Sequence, residues 1–173
     1  MFIKKISLVL ILFFITQNYL YASNTYFLDF KKILNESNAG KKAQEVLKKK
    51  LEQGIKNIEA KKNNILSEEK KIIEQKKIIS SEEYKKKVTE LRTKVSSLQK
   101  ERAKLMKDVS EKRSKARKKL LDSLNPIVKK YMIENKIQIV FDKKNILLAD
   151  DNLDITNNIM KILNKNLKSI NLE

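Results

Sequence analysis

The architecture of this chain turns on the segment Ile72-Ile73-Glu74-Gln75-Lys76-Lys77-Ile78-Ile79-Ser80-Ser81-Glu82-Glu83-Tyr84. On its N-terminal side, Leu51, Ile58, Ile65, Ile72 and Ile79 stand at strict seven-residue intervals, with Ile55 in the intervening core position. A stripe of that period stays on one side of a helix only if the helix supercoils slightly around a partner. The partner follows at once. Ser80, with Glu83 three residues later, is a capping-box signature in which hydroxyl and carboxylate satisfy exposed backbone amides. Beyond it Tyr84, Val88, Leu91, Val95, Leu98, Leu105 and Val109 recur at spacings of four and three, with Arg102 interrupting the core. Two stripes flanking one tight turn predict an antiparallel helical hairpin that folds back near residue 80. Arms of about 40 residues would reach ~60 Å at 1.5 Å per residue. No compact domain made from 173 residues holds such a length, so the hairpin projects.

Working outward, the chain has two Gly and one Pro, while 35% of its residues are charged, a composition that favours long helices. Pro126 removes a backbone donor and disfavours helical geometry at Asn125, which predicts a kink or restart and the end of the arm there. Past Tyr131 and Met132 the period changes. Ile137, Ile139 and Phe141 alternate with Gln138, Val140 and Asp142, and residues 146–149 form a second apolar run after the polar turn 142–145, the pattern of a β-hairpin. Asp154 then caps a last amphipathic helix with Ile155, Ile159, Ile162, Leu163 and Leu167 near one face. At the other end, residues 24–30 read as a short strand and Ser37 with Asn38 as a helix cap. The expected fold is α+β, mostly α. A small β-rich head made of residues 23–38 and 126–173 carries a long antiparallel coiled-coil arm, residues 39–125. Three short strands leave open edges and few core side chains, so the head is expected to self-associate. The residues expected at that contact are Phe27, Ile137, Ile139, Phe141, Ile146 and Leu148, and the competing assignment for them is ordinary single-chain core.

The chain contains neither Cys nor His, which removes disulfides, thiol nucleophiles, imidazole bases and nearly all soft-metal sites. Asp150, Asp151 and Asp154 sit near a turn and a helix start, where capping and solvation are their expected work. No catalytic, metal or cofactor site is expected, and the chain is read as a binding protein and not as an enzyme. Charge supports that reading. Residues 41–130 hold 29 Lys and Arg against 13 Asp and Glu, a surplus of 16, whereas residues 23–40 and 131–173 together hold eight of each. Like charges packed along a helix weaken it by a few tenths of a kcal/mol per adjacent pair, so a field confined to the arm points to use by an acidic or anionic partner. The cations expected to meet it are Lys85, Lys86, Lys87, Arg92 and Lys94 after the turn, and the densest run, Lys112, Arg113, Lys115, Arg117, Lys118 and Lys119. The arm's core is also thin. Lys62, Glu69, Lys76 and Arg102 fall at core positions and Gly54 costs ~1 kcal/mol relative to Ala. An arm that bends and a poorly optimised coiled coil with snorkelling stems both account for this.

Residues 1–22 read as a cleavable secretory signal: Lys4 and Lys5 precede the apolar run 6–15, then a polar stretch leads to Ala22. No Cys follows the apolar run, so no lipid-modified N-terminus is expected there. Three readings remain open from the residues themselves: an exported binding protein, a basic coiled coil that binds nucleic acid nonspecifically in vitro, and an envelope spacer tethered by an uncleaved N-terminus.

The segment Asp29-Phe-Lys-Lys-Ile-Leu-Asn-Glu-Ser-Asn-Ala-Gly-Lys41, and the tail running from Ile137-Gln-Ile-Val-Phe-Asp142 to Asp154-Ile-Thr156, resemble the Skp/OmpH periplasmic chaperones in kind and in place. The resemblance spans the chain beyond the export signal. It implies a homotrimer whose strands combine into a small β-barrel body, with three helical arms around a central cavity. It further implies ATP-independent holding of unfolded outer-membrane β-barrel proteins between the inner-membrane translocon and the outer-membrane assembly machinery. Anionic lipid or lipopolysaccharide surfaces are further partners that such a field would attract. No arm lysine aligns individually with a family motif, so no lipid-binding motif is carried over. No Walker A sequence or Gly-rich phosphate loop occurs.

Overall fold

The computed structural model describes residues 25–172, and the expected export signal lies outside them. Strand β1, Thr25–Leu28, leads directly into helix α1, Phe30–Glu36, whose cap is Asp29: one carboxylate oxygen accepts from the Lys32 amide at 2.7 Å. Ser37 ends α1 in extended geometry and starts helix α2, Asn38–Gln75, by accepting a hydrogen bond from the Gly40 amide at 3.1 Å. The corner is tight. Ser37 and Ala39 are fully buried, and a Cβ at Gly40 would collide with the Leu34 carbonyl oxygen. The segment Leu34-Asn-Glu-Ser-Asn-Ala-Gly is therefore a packed joint between two helices.

The hairpin of α2 and α3, Ser81–Glu134, is the dominant element, with helices of 38 and 54 residues. At 1.5 Å per residue they run for about 57 and about 81 Å. Leu51, Ile58 and Ile65 are half-buried and Ile72 is buried, facing half-buried Tyr84, Val88, Leu91, Leu98 and Leu105 and buried Val109. Ile55 and Val95, expected in the same seam, are exposed. Gly54 has a packing reason: a Cβ there would lie 2.5 Å from a Leu105 methyl, so the Leu105 side chain occupies the space a larger residue would need. Three ion pairs cross between the helices, Lys50 to Asp108 at 2.5 Å and Lys61 to Glu101 and Lys94 to Glu68 at 2.6 Å each. Exposed pairs of this kind contribute ~0–1 kcal/mol apiece, and their main effect is on register. Helix α2 stops at Gln75, and the Ser80 hydroxyl accepts from the Glu83 amide at 3.2 Å, the hydroxyl half of the capping signature.

Two expectations are corrected. Helix α3 runs on through Pro126 to Glu134, where a kink or restart was expected, so the helix does not restart there. Losing one helical hydrogen bond there costs ~3 kcal/mol. Leu120 and Leu124 before the proline, and Ile127, Val128, Tyr131 and Met132 after it, all pack on the head core. Each fully buried aliphatic side chain contributes ~1.5–3 kcal/mol, which outweighs the lost bond. The helix ends where Asn135 donates from its amide to the Tyr131 carbonyl and Lys136 turns left-handed at φ 54°.

The second correction concerns the β-hairpin over residues 137–149. Only strand β2, Ile139–Asp142, forms, and it pairs in parallel with β1, Thr25 opposite Ile139 and Leu28 opposite Asp142. Residues 143–145 make a 3-10 turn, and the run after it forms no strand among the described residues. Alternation specifies which face of a strand is buried but not which neighbour it pairs with. The whole arm lies between the paired strands in sequence. A second 3-10 turn, Asp151–Leu153, and helix α4, Thr156–Asn166, close the head. Its core gathers Leu28, Ile33, Ala39, Leu120, Leu124, Ile159 and Leu163 from β1 and all four helices, together with Ile137, and Val140 of β2 packs against them.

Candidate functional site

Two surfaces stand out, the basic flank of the arm and the open side of the head. Near the turn, Lys85, Lys86 and Arg92 are exposed, while Lys87 donates to the Gln75 side-chain oxygen at 2.8 Å and Lys94 pairs with Glu68. Ile73 and Ile78 are exposed among them, Ile78 at 83%, so the tip offers cations and apolar side chains together. That combination was not anticipated from the stripe, which accounts for Ile72 and Ile79 only.

The dense basic run sits at the root of the arm, and part of it is already engaged. Lys112 donates to the Leu172 carbonyl at 2.6 Å and Lys119 to the Asn171 carbonyl at 2.7 Å. Arg117 lies 5.8 Å from the centre of the Phe30 ring, and Lys118 pairs with Asp122 one turn on. Arg113 and Lys115 are exposed. The run is thus a clamp on the chain's own C-terminal segment as well as a positive surface. Periodicity did not disclose this segment, although the apolar Ile170 and Leu172 two residues apart were its visible signal.

The head residues separate into two groups. Phe27 and Ile137 are buried within the single chain, as the competing assignment had it: Ile137 joins the head core, and the Lys143 ammonium lies 5.5 Å from the centre of the Phe27 ring. Ile146 is half-buried. Ile139 and Phe141 remain exposed on β2, and Leu147 and Leu148 stand in open solvent at 103% and 91%. A two-stranded sheet is marginal by itself. Among the described residues, the exposed apolar row therefore lies beside a sheet of two strands.

Electrostatics shift two carboxyls. Lys50, by its hydrogen bond and its charge, holds Asp108 below the ordinary carboxylate range against some desolvation, with help from Lys112 and Lys104. Burial alone would raise Asp154, but hydrogen bonds from Thr156 and the charge of Lys143, 3.5 Å away, outweigh it and keep the carboxyl low. Asp150 and Asp154 both accept backbone amides, from Asn152 and Thr156. Among the described residues no group of acidic side chains has the grouping of a metal site, and no helix is long and apolar enough to cross a membrane. Open hollows lie along the arm. One of about 880 Å³ surrounds Gly54, Ile58 and Leu105, and one of about 760 Å³ lies at the root between Leu47, Leu51, Val109 and Leu120. Such a surface offers both positive charge and apolar contact.

A sequence model of one family, described as outer membrane protein (OmpH-like), matches residues 24–163. Among curated proteins there is no significant match. A crystal structure from Caulobacter crescentus CB15, provisionally assigned as an OmpH-like outer membrane chaperone, superposes with a TM-score of 0.80 at 19% identity. The match covers 86% of this chain and 88% of that one, so the arm-and-head fold is shared along nearly the full length.

Proposed function

The chain belongs to the OmpH-like outer membrane protein family, a family of chaperones, and from that premise we propose that it is an ATP-independent holdase of the periplasm for unfolded outer-membrane β-barrel proteins. Residues 1–22 serve as its export signal. Residues 39–125 are the arm, and residues 23–38 with 126–173 are the head that joins three chains. The observation that carries the reading is the arm itself: a projecting basic hairpin whose apolar seam is only half covered. Three chains, each with a surplus of 16 positive charges over residues 41–130, would bring about +48 around one cavity. That field attracts acidic or anionic partners over a Debye length of ~8 Å at physiological salt. The half-open seam and the exposed tip residues meet the lipid-facing side chains of an unfolded barrel. The head reading is supported by the exposed Ile139, Phe141, Leu147 and Leu148, which a neighbouring chain would cover.

The test is aggregation of an urea-unfolded outer-membrane barrel on dilution. The purified protein without residues 1–22 should suppress it without ATP, and less well as salt rises. No suppression at one trimer per client overturns the reading, and light scattering that finds a monomer removes the shared cavity.

A further inference from the structure

Beyond α4 the segment Leu167–Leu172 turns back and lies over the root of the arm. Leu172 is 6% exposed, seated against Ala43 and Leu47 of α2 and Ala116 of α3, with Ile170 beside it. Two lysines hold its main chain, Lys112 at the Leu172 carbonyl and Lys119 at the Asn171 carbonyl, 2.6 and 2.7 Å. The lysines are seven residues apart, two turns along one face of α3. Neither bond depends on a side chain of the segment. Over residues 170–172 two successive carbonyls are met by cations while Ile170 and Leu172 enter the apolar wall with exposed Asn171 between them, which is how an extended strand is bound without regard to its detailed sequence. The groove is larger than its occupant. It continues as a space of about 760 Å³ bounded by Ile170 on one side and by Leu34, Leu51, Val109 and Leu120 elsewhere. The segment also lies outside the residues matched by the family.

We propose that this groove is a binding site for an extended polypeptide segment with apolar side chains at alternate positions, occupied in cis by Leu167–Leu172 until a client strand displaces it. The proposal deepens the chaperone reading and rests on it for the identity of the client. A tethered occupant acts at an effective concentration of order millimolar, so it excludes weak or short segments and yields to long ones that gain further contacts along the arm. Its presence lowers apparent client affinity by the fraction of time the groove is closed.

The chain has no Cys, so Ala43→Cys with Leu172→Cys introduces one thiol pair across the groove, which a short thiol-to-thiol crosslinker joins in the full chain. A fluorescent peptide with alternating apolar residues should bind the crosslinked form at least ~5-fold more weakly than the same variant left open, in line with closure by a tethered competitor. A variant ending at Asn166 should bind it more tightly than the full chain, and an unlabelled peptide of residues 165–173 should compete. Equal binding by crosslinked and open forms, or no competition by that peptide, overturns the proposal and leaves the segment a brace for the arm. Gain of binding to anionic lipid vesicles without gain for the peptide assigns the groove to lipid and overturns it as well. Peptide binding is read directly, so a chain that passes this test yet fails to suppress barrel aggregation refutes the holdase reading alone.

Discussion

Gly40 and Gly54 are the only glycines in the chain, and each sits where another group comes too close for a Cβ. Their neighbours differ in kind. At Gly40 the obstacle is the Leu34 carbonyl oxygen, backbone that cannot move without reopening the joint between α1 and α2. Gly40→Ala is expected to destabilise the fold by about 1–3 kcal/mol in urea unfolding, the usual cost of overpacking. At Gly54 the obstacle is the end of the Leu105 side chain, which can rotate away. The helix gains ~1 kcal/mol when Gly becomes Ala, so Gly54→Ala should stay within about 1 kcal/mol of the parent. Reversal of that order would mean the joint is looser than its geometry indicates. At Asp154 the folded carboxyl lies below its unfolded value, so its stabilising contribution is complete above the ordinary carboxylate range and is lost as pH falls through the lowered value. The difference in melting temperature between the parent and Asp154→Asn should therefore be largest near neutral pH and shrink toward pH ~3. A gap that is independent of pH would show that the Thr156 and Lys143 contacts do not favour the ionised form.

At the scale of elements, α3 is two helices in one. Its first half shares a half-buried seam with α2, and its second half, through Leu120 and Leu124, belongs to the head core. Truncating Leu120, 1% exposed, should cost about 2–5 kcal/mol, whereas Ile65→Ala in the half-buried seam should cost about 1 kcal/mol. Hydrogen exchange should follow the same division, with amides of residues 66–90 opening well before those of 118–124 and 159–163. Uniform protection along α3 would contradict it. The continuity of the helix across Pro126 belongs here too. Local sequence placed a break at that point, and contacts made by residues on both sides of it with β1, α1 and α4 removed the break.

For the whole molecule, the decisive quantity is the number of chains. On the proposed reading, the exposed Ile139, Phe141, Leu147 and Leu148 beside the paired strands are the surface that neighbouring chains would cover. Replacing Phe141 and Leu148 by Asp should lower the mass measured by light scattering to that of one chain while leaving helical circular dichroism nearly unchanged. It should also abolish suppression of barrel aggregation, since separated arms enclose nothing. Retained suppression by a monomeric variant would place the activity in the single arm and remove the cavity from the mechanism.

The hairpin, its turn near residue 80, the capping role of Ser80 and the confinement of charge to the arm were legible in the residues, because helix period, cap chemistry and charge are local properties. The pairing of β1 with β2, the passage of α3 through Pro126 and the clamp of Lys112 and Lys119 on Asn171 and Leu172 were not. Each joins residues that are far apart in the chain, or is settled by burial that such residues supply. Periodicity reports which side of an element is apolar and is silent on what will cover it. The basic run at 112–119 illustrates the difference: its charge was plain from composition, but that two of its lysines hold the chain's own main chain became visible only once the fold brought α3 and the segment after α4 together.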